Sequence, residues 1–204
     1  MKGKYIILES GEGAGKSTHA KLLVKFLNSL NFPAVYSREP GSTHEAEQIR
    51  EVLKSKKNKL EALTELFLFE AARTEFFAKE VLRNKTKGIT TVADRSGFSS
   101  EAYQGYAGGV DLDLIRKLNF RATAGIHPDL FFLIDIDARK GLSKEQNPDR
   151  FAAKGLGYHK KVNQGYREIA KRLGEIAHVI LYKEGDVQGM QQQIRNITRE
   201  KLFS

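Results

Sequence analysis

A glycine-rich stretch joins the first apolar run of the chain to a segment of helical period, and it constrains the fold more than any other feature. The run Tyr5–Leu8 leads into E-S-G-E-G-A-G-K-S-T over residues 9–18, and the helical pattern begins at Lys16. Glycines allow successive backbone N–H groups to surround an anion, and a helix N-terminus adds partial positive charge. The sequence therefore predicts a strand, a phosphate-binding loop and a helix.

The residues of this loop suit a nucleoside triphosphate. Lys16 is expected to reach the outer phosphates and the Ser17 hydroxyl to bind Mg²⁺. The pattern G-x-x-x-x-G-K-[ST] fails only at its first position, where Ser10 stands, and serine fits there if its φ is negative. The predicted triphosphate site comprises Gly11, Glu12, Gly13, Ala14, Gly15, Lys16, Ser17 and Thr18.

Short apolar runs alternate with longer segments of helical period, which is typical of an α/β protein with a parallel sheet. Strands are predicted near 4–9, 33–37, 89–94, 129–135 and 178–183. Helices are predicted near 43–55, 98–106, 111–124, 157–175 and 187–202, with a long central helix through 63–82. Because the strand runs are continuous rather than alternating, both faces of the sheet should be buried. The 204 residues fit a single domain.

Composition limits the partners and the location of the chain. It has no cysteine, which fits a reducing cytosol, and its apolar runs fall far short of the roughly 18 residues that a membrane span needs. The run before Glu9 is also too short for a signal peptide. The formal net charge of +9 suggests an anionic partner. The basic segment Lys54–Lys59 has no interleaved aromatic residues, which favours a solvated loop over nucleic-acid binding.

A phosphate-binding loop does not by itself identify the reaction, since GTPases, ATPases and small-molecule kinases all contain one. Asp94–Gly97 matches the D-x-x-G of a GTPase switch. However, the only near match to a guanine-reading N-K-x-D, Asn84–Lys87, precedes the switch and lacks the aspartate. A regulatory GTPase and a nucleic-acid-binding ATPase therefore stay open as less favoured alternatives.

Arginines near the predicted strand ends suggest a second anion site. Arg38 follows the second strand, Arg50 lies one short helix later, and Arg95 follows the third strand. Ligands of open α/β sheets bind at the carboxyl ends of the strands, and a guanidinium can donate two hydrogen bonds to one phosphate. These positions favour a kinase whose acceptor itself bears a phosphate.

Seven segments, in order, resemble the bacterial thymidylate kinase family. They are the loop at 9–18, R-E-P-G-S-T at 38–43 with I-R at 49–50, L-F-L-F-E-A-A-R at 66–73, D-R at 94–95, S-E-A-Y-Q-G at 100–105, H-P-D-L at 127–130 and D-R-F at 149–151. The resemblance implies a P-loop nucleoside-monophosphate kinase fold, with a five-stranded parallel sheet in the order 2-3-1-4-5 flanked by helices. It further implies transfer of the γ-phosphoryl group of MgATP to dTMP, which gives dTDP and ADP, by a cytoplasmic homodimer.

The same resemblance implies roles for residues that would bind the base and the sugar. Phe69 would stack on thymine, and Arg73 would donate to its O4. Ser100 and Gln104 would help to read the base, and Tyr103 would pack against the deoxyribose and exclude a 2′-hydroxyl.

Further residues would serve the phosphates and the metal. Arg50 and Arg95 would hold the dTMP phosphate, and Glu12 would bond the 3′-hydroxyl. Asp94 would support Mg²⁺ through water, and Glu39 would lie between the metal and the acceptor.

Asp94-Arg95-Ser96 also resembles the E-R-S motif of deoxynucleoside kinases, which phosphorylate a 5′-hydroxyl. Arg50 and the R-E-P-G segment favour a monophosphate acceptor, so a deoxynucleoside kinase is the second reading.

Residues 141–157 are polar and glycine-bearing, and we expect a mobile lid there between two ordered elements. Phosphoryl transfer needs a cation besides Lys16, and the lid contains Lys144, Arg150 and Lys154. Arg150 is the predicted catalytic cation of the lid, because a guanidinium can contact a phosphoryl group with two N–H groups. The predicted catalytic residues are therefore Lys16, Glu12, Arg95 and Arg150. Just before the lid, Asp135 and Asp137 are interpreted as a helix N-cap and a loop carboxylate rather than as catalytic residues.

Overall fold

Five parallel strands form one central sheet. The computed structural model describes residues 2–145 and 148–202. The strand order is β2-β3-β1-β4-β5, with every neighbouring pair parallel, which confirms the predicted fold class. The strands are β1 Tyr5–Ser10, β2 Ala34–Arg38, β3 Thr90–Asp94, β4 Leu130–Asp135 and β5 Ala177–Leu181.

Both faces of the sheet are buried, as the continuous apolar runs predict. In β1, Tyr5 and Ile7 belong to one core cluster, whereas Ile6 and Leu8 belong to another. Successive side chains of a strand point to opposite faces, so the two clusters lie on the two sides of the sheet.

Helices cover the two sides. They are α1 Lys16–Ser29, α2 His44–Lys54, α3 Ala62–Phe76, α4 Leu82–Thr86, α5 Gly97–Ser100, α6 Leu112–Ala122, α7 Ala138–Ser143, α8 Leu156–Leu173 and α9 Val187–Leu202. The apolar stripe of α1, at the helical spacing Ala20, Leu23, Val24 and Leu27, faces the core: Val24 is partly buried and the other three are fully buried. Within the described residues, none of the helices combines the length and hydrophobicity needed to cross a bilayer.

Two helices differ from their predicted form. The central helix continues from α3 through a π-helical segment, Phe77–Val81, into α4. Most of the helix predicted at 98–106 is also π-helical, at Glu101–Ala107. An apolar stripe indicates that a helix is present, but it does not distinguish the wider π turn from an α turn.

The lid segment, residues 141–157, is more ordered than predicted. Its first residues end α7, Ala152–Lys154 form a 3-10 helix, and α8 begins at Leu156, so the segment contains helical turns as well as loop. Of the two aspartates after the fourth strand run, Asp135 ends β4 and Asp137 is the N-cap of α7, since it accepts a hydrogen bond from the Lys140 N–H at 3.1 Å. Gln146 and Asn147 lie outside the described residues. Movement of the lid stays a prediction.

Candidate active site

The phosphate-binding loop connects the end of β1 to the start of α1. Gly13 and Gly15 adopt positive φ values of 68° and 79°. Helix α1 has no side-chain cap and no acidic residue in its first turn, so its first N–H groups are free to bind an anion. The Gly13 N–H already donates to an anionic oxygen, Oε1 of Glu145, at 3.1 Å.

Close packing explains why the loop needs glycine at Gly13. A Cβ there would lie 2.2 Å from the carbonyl oxygen of Gly141. By contrast, Ser10 lies in extended strand backbone, which tolerates a side chain. Its hydroxyl accepts a hydrogen bond from Lys16 Nζ at 2.9 Å and donates to the Gly11 carbonyl at 2.6 Å. The departure from the usual motif therefore adds a contact that positions Lys16.

Two oxygen-bearing side chains that could bind a metal ion, Ser17 and Asp94, meet at the carboxyl end of β3. The Ser17 hydroxyl donates to Oδ2 of Asp94, and the Tyr36 hydroxyl donates to the same atom at 3.1 Å. The strand β2 brings Tyr36 to this point, a residue that the sequence analysis did not identify. The pair Ser17 and Asp94 fits the ligand preference of Mg²⁺.

Arg95 lies immediately after β3 with a positive φ of 72°, which directs its side chain into the cleft. Its Nη2 donates to Oε1 of Glu12 at 2.9 Å and to the Tyr103 hydroxyl at 3.2 Å. Burial alone would raise the pKa of Glu12, but the charges of Arg95 and Lys16 and the Tyr103 hydroxyl lower this pKa to about 2. Glu12 is therefore an ionised acceptor at neutral pH.

Glu9 is a buried carboxylate that the sequence analysis missed. It accepts hydrogen bonds from Ser96 at 2.7 Å, Ser99 at 2.7 Å and Tyr166 at 2.9 Å. Burial raises its pKa. Because Ser96 is the N-cap of α5 and Ser99 lies within this short helix, Glu9 fixes α5 against the end of β1.

Three arginines, Arg38, Arg50 and Arg95, line the same cleft. Arg50 donates through Nη1 to the Pro40 carbonyl at 2.7 Å. The pKa of Arg50 is lowered by burial and then by the neighbouring charges of Arg38 and Arg95. Guanidinium groups that influence one another in this way create a field that attracts an anion.

A pocket of different chemistry is built on α3. The rings of Phe69 and Phe151 lie 5.7 Å apart at an angle of 49°. Arg73, 1% exposed, donates to Glu39 at 2.7 Å, Asn119 at 2.9 Å, Ser100 at 3.2 Å and also Glu70. These bonds use four of its five N–H groups, so one donor is left for a ligand.

The carboxyl of Glu39 is unusual in this pocket. Burial raises its pKa to about 7, although Arg73 acts in the opposite direction. The guanidinium of Arg73 is shared with Glu70, so one positive charge faces two buried carboxylates. Protonation of Glu39 relieves this imbalance.

Most predicted site residues line a single cleft of about 480 Å³ at the carboxyl ends of β1, β2 and β3. These are Glu12, Gly13, Ala14, Gly15, Lys16, Ser17, Thr18, Glu39, Arg50, Phe69, Arg73, Asp94, Arg95, Tyr103 and Gln104. Gly11, Ser100 and Arg150 do not line it. Gly11 accepts from Lys16, and Ser100 lies behind Arg73.

Arg150 is held elsewhere because a buried carboxylate attracts it. It donates to Oε1 of Glu65 at 2.5 Å and to the Leu53 carbonyl at 2.9 Å. The next residue, Phe151, does line the cleft, as does Glu145. Neither was identified individually from the sequence, although both lie in the predicted lid.

Comparisons with known proteins identify the family. A sequence model of the family described as thymidylate kinase matches residues 8–194. A thymidylate kinase of Pelotomaculum thermopropionicum is 38% identical over 178 residues, which cover 84% of this chain and 82% of the relative. One of Nostoc punctiforme is 34% identical over 210 residues, with coverage of 99% and 98%.

The fold comparison gives the same result. The crystal structure of thymidylate kinase from Ehrlichia chaffeensis aligns with a TM-score of 0.81 at 29% identity, over 98% of this chain and 100% of that chain. Neither a GTPase nor a deoxynucleoside kinase is favoured by these matches. The chain therefore belongs to the thymidylate kinase family, whose members are kinases with the P-loop nucleoside-monophosphate kinase fold.

Proposed function

We propose that the chain transfers the γ-phosphoryl group of ATP to dTMP with the help of Mg²⁺, and releases ADP and dTDP. The observation that supports this most directly is the shared cleft, which is lined by both the anion-binding loop and the aromatic pocket with its arginines. Two nucleotides can then be held in reacting geometry within one site, which accounts for much of the catalysis in phosphoryl transfer.

On the donor side, the N–H groups of residues 11–18 bind the ATP phosphates, and Lys16 neutralises the charge that develops during transfer. Ser17 and Asp94 would hold Mg²⁺, which usually combines one or two protein ligands with substrate phosphates. Among the described residues, no cluster of three or more His, Cys, Asp and Glu side chains could hold a metal alone. When bound, the ion neutralises phosphate charge.

On the acceptor side, Arg50 and Arg95 bind the dTMP phosphate, and the ionised Glu12 accepts a hydrogen bond from the 3′-hydroxyl. Glu39 lines the space between the metal and the acceptor. Tyr103, held by Glu12 and Arg95, packs against the deoxyribose and leaves no room for a 2′-hydroxyl.

The base pocket favours thymine through its hydrogen-bonding groups. Phe69, beside Phe151, stacks on the ring, and the fifth N–H of Arg73 donates to O4. Ser100 acts through Arg73, which it orients by accepting a hydrogen bond. Gln104 contributes an acceptor, since its Oε1 is buried and has no partner. Cytosine has an amino group where thymine has O4, and this hydrogen-bond donor would face the N–H of Arg73 unfavourably.

The lid supplies the additional cation. Release of Arg150 from Glu65 would allow its guanidinium to contact the transferred phosphoryl group once both nucleotides are bound, and this would limit hydrolysis by water. Lys154 also pairs with Glu65, at 2.7 Å, and can keep that contact.

We further propose a cytoplasmic homodimer with no nucleic-acid or membrane partner. Leu63 and Phe67, one turn apart on α3, are 43% and 53% exposed, and Phe120 of α6 is 56% exposed. Large exposed apolar side chains on adjacent helices favour association. Sedimentation equilibrium measures the mass, and Phe67→Glu should shift a dimer toward monomer.

A coupled assay of ADP release tests the proposed function. The candidate stimulants are dTMP, dUMP, dCMP, thymidine and single-stranded DNA. We expect dTMP to stimulate most strongly and DNA not at all. Stimulation by thymidine but not by dTMP would favour a deoxynucleoside kinase, and stimulation by DNA a nucleic-acid-dependent ATPase. Phe69→Ala should weaken the use of dTMP and dCMP alike, because stacking does not distinguish the two bases.

A further inference from the structure

Glu65 is a fully buried carboxylate on the first turn of α3, and it does not itself line the cleft. It lies one helical turn before Phe69. Its Oε2 accepts a hydrogen bond from Gln104 Nε2 at 2.8 Å. Its Oε1 accepts from Arg150 Nη1 at 2.5 Å and from Lys154 Nζ at 2.7 Å. One buried carboxylate thus connects the base pocket to the lid.

The contact with Glu65 determines which way the Gln104 amide faces. An amide side chain has an NH₂ donor and a carbonyl acceptor, and an ionised carboxylate can only accept. The NH₂ group must therefore face Glu65. The carbonyl oxygen is then left for the cleft, and this Oε1 is buried and without a partner.

The lid cations determine which oxygen of Glu65 faces Gln104. Arg150 and Lys154 can only donate hydrogen bonds, and both contact Oε1 of Glu65. Their side chains are 11% and 25% exposed. Because both contacts are made to Oε1, Oε2 is left to accept the hydrogen bond from Gln104. The direction of hydrogen bonding is therefore set along the whole series, from lid cation to carboxylate to amide.

We propose that Glu65 is a positioning residue that sets the hydrogen-bonding direction of the base pocket, and so helps to select thymine. This inference rests on the proposed use of dTMP. Thymine has a donor at N3–H, which Gln104 Oε1 can accept, whereas N3 of cytosine is itself an acceptor. A site built to satisfy one hydrogen bond rejects an analogue that cannot make it, because a buried polar group is left unpaired.

Glu65→Gln tests this with almost no change in shape. Arg150 and Lys154 would hold the new carbonyl, so the new NH₂ would face Gln104. Gln104 must then turn over and present its own NH₂ to the base. We expect the ratio of kcat/KM for dTMP to that for dCMP to fall about ten- to a hundredfold. The ratio should still favour dTMP, because Arg73 continues to disfavour cytosine.

The exchange Glu65→Gln with Gln104→Glu provides a rescue. Residue 104 would then be an acceptor toward both the new amide and the base, so the preference for dTMP should return. A merely structural role of Glu65 predicts no such recovery. Glu101→Gln is the matched control, since Glu101 is 2% exposed and paired with Arg116 and Arg172 rather than with the base pocket. It should leave the ratio unchanged.

The outcomes separate the two proposals. If the unaltered protein used dTMP and dCMP equally, the proposed function would fail. If it preferred dTMP and a folded Glu65→Gln protein kept that preference, the role of Glu65 would be overturned. If this variant did not fold, NMR of the unaltered protein would decide. The imino proton of bound dTMP should then be protected from exchange, and an exchange rate equal to that of free dTMP would overturn the inference.

Discussion

Replacing Arg73 with glutamine removes the one positive charge that faces two buried carboxylates. The guanidinium of Arg73 is bonded to Glu39 and Glu70 and is 1% exposed. Breaking a buried ion pair from one side costs about 3–5 kcal/mol, because the remaining charge is left without a partner. We expect Arg73→Gln to lower the free energy of unfolding by an amount in this range at pH 8.

The loss should be smaller at pH 6. Glu39 has a pKa of about 7 even in the presence of Arg73. Without the guanidinium, this carboxyl takes up a proton more readily, and the neutral form costs less to bury. Urea-induced unfolding at pH 6 and pH 8, followed by circular dichroism, measures both values.

Arg167→Gln is the matched control. Its guanidinium also makes two hydrogen bonds to carboxylate oxygens, in this case both on Asp135, but its side chain is 51% exposed. Exposed pairs contribute at most about 1 kcal/mol. If Arg73→Gln destabilised the protein no more than Arg167→Gln at pH 8, the pocket would not depend on a buried cation. In the folded Arg73 variant, the preference for dTMP over dCMP should also narrow.

Three further predictions concern turnover and pH. Lys16→Ala should abolish most turnover in the ADP-release assay but leave dTMP affinity in calorimetry nearly unchanged, because Lys16 acts on the transferred phosphate. Arg150→Ala should lower kcat by up to ~10³–10⁵ with little change in KM for dTMP, and Lys144→Ala should be milder. Glu39→Gln should alter the pH dependence of unfolding. Because the pKa of Glu39 is raised to about 7, its contribution to stability is present in acid and is lost as pH rises through 7, by up to about 3 kcal/mol.

Each of these predictions can fail. A well-folded Lys16→Ala protein that no longer bound dTMP would contradict the assigned role. If Lys144→Ala were the more impaired lid variant, Lys144 would be the catalytic cation. For the pH series, Glu184→Gln is the control, because neighbouring lysines lower the pKa of this exposed carboxyl to about 2 and it stays ionised throughout. If the free energy of unfolding of Glu39→Gln changed with pH as it does in the unaltered protein, the raised pKa of Glu39 would be contradicted.

The features that follow from the sequence are those set by neighbouring residues along the chain. Continuous apolar runs predict the buried strands, and glycine spacing with Lys16 and Ser17 predicts the phosphate-binding loop. Because ligands of open α/β sheets bind at the carboxyl ends of the strands, Asp94 and Arg95 are also predicted to lie beside that loop, although the two segments are distant in sequence.

The remaining features depend on contacts that no local pattern encodes. Glu65 lies 39 residues from Gln104 and 85 from Arg150, and an acidic residue on a helix is normally expected at the surface. Tyr36 reaches Asp94 across 58 residues of chain. The preference of Arg150 for Glu65 follows from burial of that carboxylate, which only the packing of α3 against the lid creates.

Transfer of the labelled γ-phosphate of ATP tests the central claim most directly. With Mg²⁺ and dTMP, the label should appear in dTDP, at a rate equal to that of ADP formation, and little should appear as inorganic phosphate. With thymidine in place of dTMP, almost no nucleotide should be labelled. Label found mainly in inorganic phosphate at a rate independent of dTMP, or found in dTMP made from thymidine, would contradict a cleft in which ATP and dTMP react directly.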